Sequence, residues 1–543
     1  AEDRRMEDME QNGRKAVRYL YFAGNLVVRV VGSAIFLLLA WYSFWYTQYM
    51  LPGGRELPVD VRDSGSRNLM GLAVAAGIMA GLLLVEKYMD SRRQAVLRRW
   101  ALAATLLWIA GAGIWWLSSS AHVPVGDQAF IYGGASYFIE GDYGFLDTGA
   151  YFAMHPYQLG LTAFCELLFR VAGAYNYRAF QILNLILAVG SVYLGYRVLA
   201  EMTRSTAALL AYDILMIGCL PLIFYTPWVY GDIPSIFFAL LAEWMLLRYL
   251  AEHRKRHLAI LALSLALAML VRKNSLILLV AAGLTVLLHA LLHRDRRILI
   301  TFLLALALSY GSYEAIYKMY EIRSGIEHDD GLPIIAWVTM GMMENYGRYG
   351  WYNDYPKELY FRVVEGDKRA MAKYAEQDLE ERLRAFGDDR EYAELFFKQK
   401  LLSQWNEPLY QALYFNAESP EAEGGPARGS LAAGLHGEHY FKALAVCDRW
   451  QMIVYAGMLC YFLLAVRKDS NILQHTLAVT MIGGFLFSII YEAKARYIFP
   501  YYVFMFPYAA MGFRLAAGYG AVLVRRCLKG RRAAGTRKDR KAR

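Results

Sequence analysis

Apolar residues occur along this chain in blocks of about twenty, the length that crosses roughly 30 Å of hydrocarbon as a helix, and short polar or basic clusters separate the blocks. Stretches such as "AIFLLLAWYSFWY", "MGLAVAAGIMAGLLLV", "ALAATLLWIAGAGIWWL" and "MIVYAGMLCYFLLAV" suit a bilayer better than a soluble core. The blocks predict helices near 22–47, 68–88, 98–119, 178–198, 206–225, 233–251, 257–271, 275–293, 297–316, 450–467, 472–491 and 499–525, about twelve spans in all. The basic clusters "RRQAVLRRW", "EHRKRH", "HRDRR" and "AVRKD" mark the cytoplasmic ends by the positive-inside rule. Counting "YQLGLTAFCELLFRVAG" as a further span would invert every later loop, so it is expected to lie at the outer surface as an amphipathic or re-entrant helix that starts after Pro156.

This tracing divides the chain into an N-terminal cytoplasmic segment with an extra transmembrane hairpin (1–97), a core (98–316) with a first outer loop (120–176), an outer insert (317–447), C-terminal helices (448–526) and a basic tail (527–543). The insert begins with a Gly- and Pro-punctuated part, continues in the charged helical stretch "KRAMAKYAEQDLEERLRAFGDDREYAELFFKQKLLSQW", and includes "AESPEAEGGPARGSLAAG", a flexible loop by composition. The fold class expected is therefore an all-α polytopic membrane protein with a mostly helical extracytoplasmic insert, both termini cytoplasmic.

Composition sharpens this picture in two places. With 57% hydrophobic and 20% charged residues the chain is too apolar for a soluble protein of 543 residues. Its net charge of +10 resides in short loops and in the tail "RRCLKGRRAAGTRKDRKAR", a membrane-topology signature rather than a nucleic-acid footprint. The five cysteines (Cys165, Cys219, Cys447, Cys460, Cys527) show neither metal-ligand spacing nor a disulfide framework, and buried packing is expected of them. The N-terminal "AEDRRMEDMEQNGRK" lacks the apolar core of a cleavable signal, so the first apolar run is expected to stay as a span.

Candidate chemistry gathers on the outer side. Asp127 in "VGDQAF" follows the third helix, Asp232 lies in "YTPWVYGDIPS", Arg272 and Lys273 lie in "VRKNS", and Glu492, Lys494, Arg496 and Tyr497 lie in "YEAKARYIFPYY". Cations kept outside against the positive-inside trend call for an anionic partner, and a lipid phosphate reached from the bilayer is the obvious one. Each residue also has a plainer reading. Asp127 and Asp232 suit helix N-caps, Asp142 and Asp147 suit turns, His155 precedes Pro156 as a turn former, and the cations could snorkel. Asp213 and Glu243, inside apolar runs, suit polar helix packing. The convergence of two acids and two basic pairs on one face favours a functional reading.

In this order "VGDQAF", "HPYQLG", "VYGDIPS", "LVRKNS" and "KARYIFP" resemble the GT-C membrane glycosyltransferases, more narrowly the branch with protein O-mannosyltransferases and lipid A aminoarabinose transferases. The resemblance runs from about Arg99 to Arg526. It implies a GT-C-like bundle that moves a sugar from a polyprenyl-phosphate donor to an extracytoplasmic acceptor with inversion; a bacterial plasma membrane is the location expected. It further implies Asp127 as general base, Asp232 as a residue orienting acceptor or sugar, and Arg272, Lys273, Lys494 and Arg496 as phosphate ligands. His155, Tyr497 and Glu492 are then substrate-positioning residues, and no metal or cofactor is expected. The chain departs from the pattern at Tyr157-Gln158, in having a single acid at Asp127, in two helices preceding the core, and in an insert unlike the β-rich module of protein O-mannosyltransferases. The alternative is a transporter or flippase of a lipid-linked anion, which would use the same cations with Asp213 and Glu243. A non-catalytic scaffold is third.

Overall fold

A computed structural model describes residues 2–52, 56–417 and 430–541. Most of the loop expected within 417–434, and the side chain of Cys527, lie outside the described residues. The chain is 79% helical, which leaves little room for any sheet. Among the described residues the strands form two short antiparallel hairpins, Tyr46–Tyr49 with Val59–Arg62 and Glu344–Asn345 with Arg348–Tyr349.

Among the described residues eight helices are long and apolar enough to cross a bilayer: Gly13–Trp45, Gly65–Tyr88, Ser91–Ser119, Tyr177–Met202, Asp232–Glu252, Lys273–His293, Arg296–Ser324 and Ile472–Ile490. The 12-residue helix Thr206–Ile217 is apolar but shorter. The continuous helix expected over 206–225 is broken at Gly218. The Trp450 indole occupies the space a Cβ would take there and donates to the Leu215 carbonyl (2.8 Å), while Pro221 opens a separate short helix, Leu220–Phe224. A partner 232 residues away along the chain fills this break, and hydropathy alone does not register it.

Other boundaries shift for local reasons. The first helix runs back to Glu2, well before 22. The third starts at Ser91, ahead of 98, because the Asp90 side chain caps it by accepting from Arg93 N (2.9 Å). The helix Arg296–Ser324 carries on past 316 into the insert, and Tyr440–Leu464 begins before the boundary at 448. The segment after Pro156 forms the helix Leu159–Ala172, whose 14 residues span about 21 Å and are too few to cross. Its polar side faces inward: Glu166 is buried and accepts from Tyr320 (2.7 Å) and Arg323 (2.8 Å), whereas Leu167 and Val171 are exposed.

Contacts at one end of the bundle draw the basic loops together. Tyr21 and Asn25 donate to the carbonyl of Ser470 (3.0 and 2.9 Å), Tyr249 donates to Asp295 (2.8 Å), and Arg514 meets Glu86 (3.6 Å). The other end carries the insert, which the Ile490–Ala495 turn fixes in place. Ala493 N donates to the Gly350 carbonyl (2.7 Å), Trp351 pairs with Ala493 in a parallel bridge, and the buried Lys400 ammonium donates to the Gly341 carbonyl.

Candidate functional site

Two acids open two helices in the same way. In each "Gly-Asp" step the glycine is the cap and the aspartate the first helical residue, so each carboxylate sits at the positive end of a helix dipole. Gly126 adopts φ +57° and ψ −132°, a turn that disfavours any side chain, and this sets Asp127 at the start of Asp127–Glu140. Gly231 is required for a different reason: a Cβ there would collide with the Val271 carbonyl, so the Asp232 helix start can press against the end of Lys255–Val271.

That close approach sets up the first pairing. Asp232 and Arg272 form a salt bridge, and both are nearly inaccessible to solvent, 1% and 7% exposed at the side chain. Asp127 pairs with the other arginine, its Oδ2 lying 3.6 Å from Arg496 Nη2 while Tyr151 donates to Oδ1 (3.3 Å). Its side chain is 45% exposed against 4% for Arg496, so this acid is the accessible one. Burial alone would raise the Asp127 carboxyl, but Arg496 and Lys494 outweigh it and hold it below the usual value. His155 is pushed down to about 4 by burial, against the pull of Asp127, and is neutral at physiological pH.

Aromatic rings frame the Arg496 guanidinium: Tyr230 (4.8 Å to the centroid), Trp228 and Phe415 (both 5.4 Å) and Tyr497 (5.5 Å). Tyr497 donates to Glu492 (3.1 Å), and Lys494 pairs with Glu56 (3.2 Å) from the loop after the first helix. Burial raises Glu492, and Lys494 and Arg496 only partly offset this. Tyr230 and Tyr497, which frame Arg496 on one side, also line a cavity of about 280 Å³ whose wall includes Arg272, Lys273, Glu492 and Gln158. The insert closes that space with Leu332 and Trp337, whose ring lies tilted against that of His155 at 5.6 Å between centroids.

All nine residues singled out in the sequence therefore surround one region, in unequal states. Arg272, Arg496 and Lys494 already have carboxylate partners, whereas Lys273 lies over the rings of Tyr313 (4.4 Å) and Tyr310 (5.8 Å) with no carboxylate within salt-bridge distance among the described residues. Trp351 of the insert is fully buried and donates to Ser403 (2.9 Å). Sequence reasoning missed Tyr151, Tyr230 and Glu56. Gln158 was visible as a departure from the proline motif, and it donates to the Tyr230 hydroxyl. Among the described residues no three His, Cys, Asp or Glu side chains gather closely enough to hold a metal ion.

Helical content, the eight apolar helices and the charged site at one end of the bundle define a multi-pass integral membrane protein in contact with the lipid bilayer. The family model described as "conserved hypothetical integral membrane protein" matches residues 69–516, and the chain belongs to that family. A comparison with curated proteins returns no match.

Proposed function

We propose that the protein is a GT-C-type glycosyltransferase that takes a sugar from a polyprenyl phosphate and passes it to an extracytoplasmic acceptor. The observation that carries this reading is an accessible Asp127, held by Arg496, beside Tyr230 and Tyr497, which wall a cavity with Arg272 and Lys273, the latter with no carboxylate within salt-bridge distance among the described residues. Such a reaction asks little covalent chemistry of the protein, because the phosphate is already a good leaving group. Asp127 takes the proton from the acceptor hydroxyl as that oxygen bonds to the anomeric carbon. The bond from that carbon to the phosphate oxygen breaks, and the leaving phosphate keeps the electron pair. Lys273 and Arg272 face the cavity where that charge appears, Arg496 keeps Asp127 ionised, and Asp232 holds Arg272 in place. His155, Glu492 and Tyr497 shape the wall on the acceptor side. In this reading Lys255–Val271, Tyr440–Leu464, Ala495–Lys541 and the broken Thr206–Phe224 segment also cross, giving about twelve spans.

The test is release of free polyprenyl phosphate from a panel of polyprenyl-phosphate sugars by the reconstituted protein, with membranes lacking it as the acceptor source. Asp127→Asn should lose about 10²–10⁴-fold in rate while still binding donor. Equal release by wild type and Asp127→Asn would remove Asp127 from the chemistry, and no cleavage of any donor by folded protein would remove the enzyme reading.

A second reading, transport of a lipid-linked anion, draws on buried acids within the bundle. Asp213 makes no side-chain hydrogen bond, and Glu243 accepts only from Tyr508 (3.3 Å), among the described residues. Movement of a labelled lipid across liposomes that requires Asp213 and not Asp127 would favour it.

A further inference from the structure

Away from the cavity just described, a second feature combines charge and an apolar wall. An open groove of about 300 Å³ runs between Gly65–Tyr88 and Tyr440–Leu464, and its lining is almost wholly apolar. Along the first helix it extends from Arg67 past Met70, Val74 and Ile78 to Leu82, about 22 Å at 1.5 Å per residue. One leaflet contributes about 15 Å of hydrocarbon, so the groove is deep enough to hold a chain through a single leaflet. Met70, Val74 and Ile78 are all strongly exposed, and only Asn68 and Met79 of that helix are buried.

The rim carries two arginines. Arg67 and Arg449 both line the groove and the polar recess above it. Neither makes a salt bridge within 4.0 Å among the described residues, although Asp63 and Asp448 stand beside them in that recess. Thr47 Oγ1 lies between those acids, 2.7 Å from Asp448 and 2.8 Å from Asp63, where its single proton serves one of them at a time, and Asn68 donates to Asp63 (3.3 Å). Two arginines without carboxylate partners above a leaflet-deep apolar groove match the charge and shape of a phosphodiester joined to acyl chains.

The geometry points to a resident glycerophospholipid, its phosphate between Arg67 and Arg449 and an acyl chain along Met70, Val74 and Ile78. This site is separate from the Asp127 cavity and does not depend on the sugar-transfer reading. The full chain, purified in mild detergent and washed, should retain a glycerophospholipid detectable by mass spectrometry of its extract. Added dioleoyl phosphatidylglycerol should raise the melting temperature of delipidated protein, and dioleoylglycerol, which has the chains but no phosphate, should not. Arg67→Ala/Arg449→Ala should weaken binding by about tenfold or more. Val74→Trp, at a lipid-facing position, should expel the chain with both arginines intact, whereas Asp127→Asn should bind as wild type does. Equal stabilisation by the two added lipids, equal retention by both groove variants, or recovery of polyprenyl phosphate in place of a glycerophospholipid would each overturn the assignment.

Discussion

At the scale of single residues, the two Gly-Asp steps show how similar sequence produces unequal acids. Asp232 is sealed against Arg272, and losing either partner leaves a buried charge uncompensated, which typically costs about 3–5 kcal/mol. Asp232→Asn or Arg272→Gln alone should therefore lower the melting temperature, and the Asp232→Asn/Arg272→Gln double variant should recover much of it while donor turnover stays lost. Asp127 differs because its ionisation depends on Arg496 opposing burial. With Arg496 present the carboxyl lies below its ordinary 3.8, so an acid limb in kcat/KM set by Asp127 should lie at lower pH than an ordinary aspartate would give. Arg496→Gln removes the largest lowering influence and leaves burial, which raises the carboxyl, so the limb should move to higher pH. An unmoved limb would detach the pH profile from this carboxylate. The sequence nominated both acids and both arginines, since charges outside the positive-inside trend stand out. Which acid meets which arginine was not legible, because Asp127 and Arg496 are joined only by the packing of the last helix against the Trp228–Tyr230 turn.

At the scale of elements, helix existence was legible and helix interruption was not. Hydropathy marks 206–225 as one run, but Trp450 decides that it breaks at Gly218. Close backbone approach at Gly231 is equally invisible from the sequence, and it yields a sharp expectation. Gly231→Ala would drive a methyl into the Val271 carbonyl, so it should displace the Asp232 helix start from Arg272 and lower both stability and donor binding. Gly77→Ala, with open space around it, should leave both unchanged. The insert's anchor has its own signature. Burial of Lys400 against the Gly341 carbonyl lowers its ammonium to about 7 from 10.5. The unfolded chain therefore binds the extra proton between those values, and stability should rise with pH across about 7 to 10.5. Lys400→Met should flatten that rise in a thermal-melt series and raise the plateau below pH 7. A rise that persists unchanged in Lys400→Met would assign it to other groups.

For the whole molecule, the decisive matter is which end of the bundle faces which compartment, because the candidate site and the insert share one end. The basic clusters lie far apart along the chain, yet packing groups them: Asn25 reaches the Lys468 carbonyl (3.2 Å), Tyr21 packs on His293 (6.3 Å between centroids), and Arg514 reaches Ser205 (3.3 Å). A chain that placed Leu159–Ala172 across the bilayer would separate these loops, so the short, one-side-buried helix and the grouping support the same orientation. Cysteine labelling in intact cells tests it. Tyr346, 95% exposed at the tip of the insert hairpin, should react as Tyr346→Cys with a membrane-impermeant maleimide from outside. Lys468→Cys, in the exposed loop at the opposite end, should react only after permeabilisation. Cys165, Cys219 and Cys447 are buried and should contribute little background, while replacing Cys460 and Cys527 removes the remaining sources. The reverse labelling pattern would put the Asp127 cavity on the cytoplasmic side. A donor presented at the outer surface could not reach it there, and the sugar-transfer reading would fail together with the topology.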